Sequence, residues 1–592
     1  MFNSQYNISS FDGKFGFQFK QNGLPYNASA FSAAGDINRD GMDGDFLATN
    51  NFGNGLDLFF AQTKWNASVE LTYLANKELV PMVLCDAGPG KPYKIASHTG
   101  IGDFNNNGYS DIIACCTGQS TGTWPIAEGV CYIIDGSNLQ NGTFYASSLN
   151  GANGFNITGE MPIFGQYCTG DLDVNGDGFT DVVISGYDFV HFLVVYGGSN
   201  YHLPTYTAAS LYSNGKGVLV SVSDSKGRVY PVGMVVKVGN FNGDRYDDFA
   251  ISTSYDSFFS SAGSVVIVYG SNNLPPLINF NSSSPASYGL QTYLPSFSIN
   301  ADQYGYGLTA GSDYNHNGLS DVVVAMINGT YVGDQQIAQT LTIYGTTTGI
   351  SGPVNIYNNL VNRPSPINTT VNYFLYNGVN SPFSYDTGAI VALENYNNDS
   401  YPDLFTGFLD GNASMFLGGA NTFGSLNGSN GYTYLPQGSD VNLGVFCQYF
   451  SIGDVNNDTL SDFAAIDASG SRVFLGQNMP IPTNLPSPTV SPSPAASQTS
   501  TSTPSFTASH SAFSHEAVPE SHSTGAIAGG AVGAIVGVGV IAAAIYIYKS
   551  GILNFGAAAS ATFGATVGAT ATEMVTNPMG EHDHHAAATD WS

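Results

Sequence analysis

Between Asp173 and Asp181 the chain reads Asp173, Val174, Asn175, Gly176, Asp177, Gly178, Phe179, Thr180, Asp181, and then enters the apolar run Val182, Val183, Ile184. Carboxylates or amides at positions 1, 3, 5 and 9 of a short loop, with glycine at position 6, aim hard oxygen donors at one centre, as a calcium ion requires. One such loop constrains little, because Asx-rich turns are common between strands. Here it returns in register as Asp103, Asn105, Asn107, Asp111, as Asn240, Asn242, Asp244, Asp248, and as Asp313, Asn315, Asn317, Asp321. It returns twice more as Asn395, Asn397, Asp399, Asp403 and as Asp454, Asn456, Asp458, Asp462. The earliest copy is degenerate: Asp36, Asn38 and Asp40 are in place, but Gly44 stands at position 9 and Asp45 follows one residue late. The seven loops begin at residues 36, 103, 173, 240, 313, 395 and 454.

Self-similarity at such a period means a repeat architecture, in which each unit buries its apolar face against its neighbours. The segment after each loop is apolar and often β-branched, as in Ile112, Ile113, Ala114 or Val322, Val323, Val324, and reads as a buried strand. A further strand ends at a glycine turn in most repeats, as in Val194, Val195, Tyr196, Gly197, Gly198. No stretch of the repeat region carries a long helical period. The sequence therefore predicts an all-β fold of about four short strands in each unit of roughly 68 residues, and seven such units suit a seven-bladed β-propeller.

At this level the chain resembles the FG-GAP repeats that form the β-propeller head of integrin α subunits. Phe15, Gly16 and Phe164, Gly165 match the phenylalanine-glycine element, and Tyr306, Gly307 is a near match, while Val232, Gly233 and Leu443, Gly444 keep only the glycine. The resemblance covers about residues 1 to 478, and the loops carry it more specifically than the dipeptides do. It implies that each loop joins two strands of one blade on the lower face. Integrin heads usually carry such loops in only some blades, whereas here all seven have one. The final repeat stops after Arg472, Val473, Phe474, Leu475, so the N-terminal strand is expected to complete the last blade and leave no free lateral edge.

Composition agrees with a calcium-loaded extracellular domain. The formal charge is −29, from 15 Lys and Arg against 44 Asp and Glu. Up to seven Ca²⁺ ions would leave roughly −15, easing self-repulsion. Such acidity excludes nucleic acid as a partner, since that needs clustered basic residues. The loops are not equivalent: Gly41, Gly108, Gly178 and Gly318 supply a sharp turn at position 6, whereas Arg245, Ser400 and Thr459 stand there in loops four, six and seven. Loop three is expected to be the tightest, and loops one and four the weakest.

Ten sequons outside the loops, at Asn7, Asn27, Asn66, Asn141, Asn156, Asn281, Asn328, Asn368, Asn412 and Asn427, mark glycan acceptors if the domain is secreted. No secretory leader is visible at Met1 to Ser10. Among the six cysteines there is no C-x-x-C pair, and Cys131 is placed to pair with Cys115 or Cys116 across a hairpin.

Beyond the head, residues 479–523 are dominated by Pro, Ser and Thr and read as a disordered stalk. Residues 524–548 are uncharged, include Ile535, Val536, Val538, Val540, Ile541 and Ile545, and are long enough for one transmembrane helix. Gly525, Gly529, Gly533 and Gly537 recur on one face, a pattern that permits self-association of the helix. Tyr546, Tyr548 and Lys549 close the span, placing residues 549–592 in a short cytoplasmic tail, within which 551–572 is a weaker apolar stretch.

No catalytic constellation stands out. His98, His191, His202 and His316 are widely separated, and the carboxylates are accounted for by the loops. The expected function is that of a non-catalytic, single-pass cell-surface glycoprotein binding an extracellular protein or glycan ligand, as adhesion heads do. A carbohydrate-acting enzyme or lectin on the same fold, and a structural coat glycoprotein, are the alternatives.

Overall fold

The computed structural model describes the chain from Gln5 to Gln477 with interruptions, the longest at 356–372, 417–430 and 436–447, and describes nothing after residue 477. The expected stalk, the span at 524–548 and the tail lie outside the described residues. Among those described, no helix is long and apolar enough to cross a membrane.

The described strands form seven small sheets, numbered here I to VII after the loop each carries. Sheet III shows the plan. Cys168–Leu172, Asp181–Ile184, His191–Val195 and Gly217–Val222 pair antiparallel in chain order, and loop three joins the first strand to the second. The glycine-terminated run ending at Val195 is thus the third strand of its sheet. The second strand of this sheet is buried over its whole length, which is why Val182, Val183 and Ile184 are continuous rather than alternating in polarity.

The sheets pack face to face on one another. Loop-side residues Ile37, Leu47 and Leu58 of sheet I share one core with Ile112, Ala114 and Ile134 of sheet II. Sheets II and III share another around Phe104, Phe164 and Leu193. Sheets III and IV meet at Phe192 and Phe249, and sheets IV and V at Phe241 and Val324. Sheets VII and I meet at an aromatic seam of Phe17, Phe19, Phe31, Phe46, Phe59 and Trp65, where Phe46 and Phe59 stack at 4.9 Å. Each such ring contributes about 2 kcal/mol by leaving water. The first strands of successive sheets are neighbours through the complete cycle, from sheet I at Phe31–Gly35 to sheet VII at Gln448–Gly453 and back to sheet I. An all-β chain of several small sheets in this order is compatible with a β-propeller.

Sheet VII takes its fourth strand from the other end of the chain: Gly16–Gln21 pairs antiparallel with Gly470–Phe474, Gly16 facing Phe474. The expected closure by an N-terminal strand is present in this form. The position of Gly16 differs from the expectation, however. It opens a fourth strand, whereas Gly165 lies in the turn before a first strand, so the two dipeptides are not equivalent; Phe15 lies outside the described residues.

Four strands per unit undercounts the sheets. In most sheets a short fifth strand, parallel to the fourth, comes from the segment that precedes the fourth strand of the following sheet. Thr205–Thr207 joins sheet II in this way, Leu277–Phe280 joins sheet III, and Gln5–Asn7, ahead of Gly16–Gln21, joins sheet VI. Disulfides tie the first two sheets further. Cys115 bonds Cys131, its cross-strand partner, and Cys116 bonds Cys85 of the preceding sheet. Cys168 is free, and burial pushes its thiol up to about 12, with a hydrogen bond to Ser97 opposing.

Candidate metal centres

Each loop is built by its own side chains. In loop three, Asp173 Oδ1 accepts the backbone N–H of Asp177 at 3.0 Å and Oδ2 accepts that of Gly178 at 3.0 Å. Asn175 Oδ1 accepts from the Asp177 N–H and Asp177 Oδ1 from the Phe179 N–H. Loops one, two, five and seven repeat the position-1 arrangement with Asp36, Asp103, Asp313 and Asp454. Position 4 is left-handed in all seven loops, occupied by Arg39, Asn106, Gly176, Gly243, His316, Asn398 and Asn457. Position 6 is left-handed at Gly178 (φ 87°), and Thr459 adopts the same conformation at φ 72°.

Loop four departs from this plan for a reason visible in its chemistry. Asn240 has one side-chain oxygen, which accepts the Gly243 N–H at 2.7 Å, while its amide nitrogen donates to the Asp244 carbonyl at 2.7 Å. The Asp244–Arg245 peptide therefore offers a carbonyl where the aspartate-led loops offer an N–H.

Position 9 is a clasp between strands. Asp111 Oδ2 accepts the Phe104 N–H at 3.0 Å and Oδ1 the Gly136 N–H at 3.0 Å. Asp181, Asp248, Asp321 and Asp462 do the same with the position-2 N–H and with Gly197, Gly270, Gly345 and Gly476. Asp403 accepts from the Tyr396 N–H in the same way. In loop one it is Asp45, one residue late in the sequence, that accepts from Ile37 and Ala61. The degenerate copy therefore keeps the position-9 interaction. Burial pushes Asp111 and Asp181 up to about 8 and Asp45, Asp248 and Asp321 up to about 7, with backbone N–H groups opposing and neighbouring loop carboxylates adding to the rise.

The donor set suits a hard cation. Positions 1, 3 and 5 supply only carboxylate and amide oxygens, and each position-9 oxygen that accepts one N–H keeps a second lone pair. The position-3 amide and position-5 carboxylate lie 3.0 Å apart in loops one, three and seven and 2.9 Å apart in loops four and six. Calcium–oxygen bonds of about 2.4 Å give a coordination polyhedron with edges near 3 Å, so a turned amide places both oxygens on one ion. A divalent cation would also supply the countercharge that burial withholds from the position-9 carboxylates. Among the described residues, no group of three or more His, Cys, Asp or Glu side chains is placed to hold a metal, so any cation here depends on the asparagine oxygens as well.

Neighbouring loops touch. The Asp247, Ser320 and Ser461 N–H groups donate to the carbonyls of Asp173, Asn240 and Asn395, the first residues of the preceding loops. Arg39 of loop one lies over the Tyr109 ring of loop two at 4.9 Å, and His316 of loop five meets the Tyr401 ring of loop six edge-on at 4.3 Å. His316 is thereby a contact between loops. Of the other histidines, His98 is buried with Nδ1 at 2.7 Å from Ser32 Oγ, while His191 opens a third strand and His202 lies before Thr205–Thr207. A carboxylate that the loop pattern does not contain also enters the second site. Asp135, at the end of the third strand of sheet II, accepts both the Asn105 and Asn107 amides. No family model matches the chain, and no curated protein matches it.

Proposed function

We propose that residues 1–478 form a seven-bladed β-propeller of the FG-GAP type whose loops bind calcium, and that this head recognises an extracellular protein or glycan. The head is carried on the 479–523 stalk and the 524–548 span as a non-catalytic, single-pass surface glycoprotein. The observation that carries the reading is the recurrence of one loop seven times at the same place in its sheet, with its donors in the same register. Calcium in those loops adds no chemistry to a substrate; it neutralises carboxylates and stiffens the loop between first and second strands.

The test is a pull-down from cell-surface and matrix extracts with the purified full chain, in millimolar calcium and in chelator, alongside thermal melts in both. Capture that chelation abolishes, with a melting temperature raised by calcium, supports the reading. An unchanged melt in chelator overturns the metal assignment, and turnover of a sugar substrate overturns the non-catalytic one.

A further inference from the structure

Loop two is short of charge. Position 5 is aspartate in loops one, three, four, six and seven, but it is Asn107 in loop two and Asn317 in loop five, where the amide donates instead to the Gly345 carbonyl. The missing carboxylate has a replacement. Asp135 is 93% buried on relative exposure of 7%, and its Oδ2 accepts the Asn105 amide at 3.2 Å and the Asn107 amide at 2.9 Å. Positions 3 and 5 of this loop therefore both turn toward a side chain that the loop does not contain. In loops one, three, four, five and seven the place just before the clasp residue holds Phe60, Tyr196, Tyr269, Tyr344 and Leu475, none of which could serve.

A second observation marks the same spot. Asn105 Oδ1 is buried and has no hydrogen-bond partner. A buried amide oxygen left unmatched is destabilising unless something meets it. Rotating the Asn105 amide by a half turn breaks no bond of its oxygen, and rotating that of Asn107 gives up the Tyr109 N–H at 2.9 Å; together the turns would bring two oxygens toward Asp135, an arrangement that only a cation between them makes favourable. Asp135 is itself held in place, because its Oδ1 accepts the Ser137 N–H at 2.8 Å.

We propose that Asp135 is a ligand of a divalent cation in loop two, acting with Asp103, Asn105 and Asn107 and supplying from the third strand the carboxylate that position 5 lacks. The proposal rests on the calcium reading of the loops. Loop two then carries three acidic groups, Asp103, Asp111 and Asp135, as loop three does with Asp173, Asp177 and Asp181.

Calcium binding to the purified full chain tests this, with stoichiometry and affinities taken from equilibrium dialysis. D135N keeps the shape and one acceptor oxygen; it should weaken one site by about tenfold to a hundredfold, while D177N does the same for loop three. The double variant D135N/N107D, which puts the carboxylate back at position 5, should recover the lost site. Unchanged binding in D135N with a site lost in D177N overturns the proposal and leaves the calcium reading standing. A folded double variant that fails to recover the site also overturns it. If the wild-type chain binds no calcium at all, the proposal and the reading beneath it fall together. If D135N does not fold, full binding by the double variant upholds the proposal.

Discussion

The carboxylate of Asp181 joins two strands that are not adjacent in the chain: Oδ1 accepts the Gly197 N–H at 2.8 Å, while Oδ2 holds the Val174 N–H at 2.9 Å. Asp181→Ala leaves one buried and one half-buried donor unmatched, and about 2–4 kcal/mol of stability should be lost. Asp181→Asn keeps one acceptor and should lose roughly half of that. Denaturant melts in chelator isolate this contribution from any metal, and equal losses for the two variants would contradict the clasp.

Loop four should respond to a paired change. Asn240→Asp with Arg245→Gly restores an acceptor for the position-6 N–H and a residue free to turn left-handed, as at Asp173 and Gly178. The double variant is expected to gain about 1 kcal/mol and to bind calcium more tightly at one site. Calcium titration of each single variant beside the double distinguishes charge from conformation.

His98 gives a pH dependence of its own. Burial lowers its pKa to about 4 from the ordinary 6.5, so the unfolded chain binds the proton more readily than the folded one. Stability from this group is therefore fully present above pH 6.5 and declines as pH falls toward 4. Between pH 7.5 and pH 5 the wild-type chain should lose about 2 kcal/mol more than His98→Gln does. Parallel urea melts at the two pH values check the difference.

The Cys85–Cys116 bridge spans 31 residues and crosses from sheet I to sheet II. Replacing both cysteines with serine should cost about 2–4 kcal/mol. Sheets III and IV should keep their amide protection in hydrogen exchange, and a loss spread evenly over all sheets would contradict this local role.

Much of the fold is legible in residue types alone. The Asp173–Asp181 pattern locates every first-to-second-strand connection, and the runs at Ile112 and Val322 locate the buried strands that follow. The fifth strands escape such reading because Thr205–Thr207 is held by backbone pairing across sheets and has no period to detect. The Cys115–Cys131 bridge is one of the two hairpin pairings open to Cys131 in the sequence, but the partner of Cys116 is hidden, since Cys85 meets it only after two sheets pack. In the candidate sites, positions 1, 3 and 5 follow from spacing. Position 9 does not declare its Gly197-type partner, because any residue offers a backbone N–H. Asp135 is thirty-two residues from Asp103 and comes into range only when the third strand of its sheet pairs with the second.

The pairing of Gly16 with Phe474 sets an order on biogenesis. A ribosome adding about 5–20 residues per second needs from roughly twenty to ninety seconds to make the roughly 450 residues between them. Throughout that interval the Gly16–Gln21 strand has only its short early partners Leu24–Pro25 and Ser68–Glu70, and the edge that will meet Gly470–Phe474 is open to any other nascent chain. Sheets I to V can mature as they emerge, yet the circle shuts last. A newly made molecule thus needs protection at its leading end until its final repeat is released.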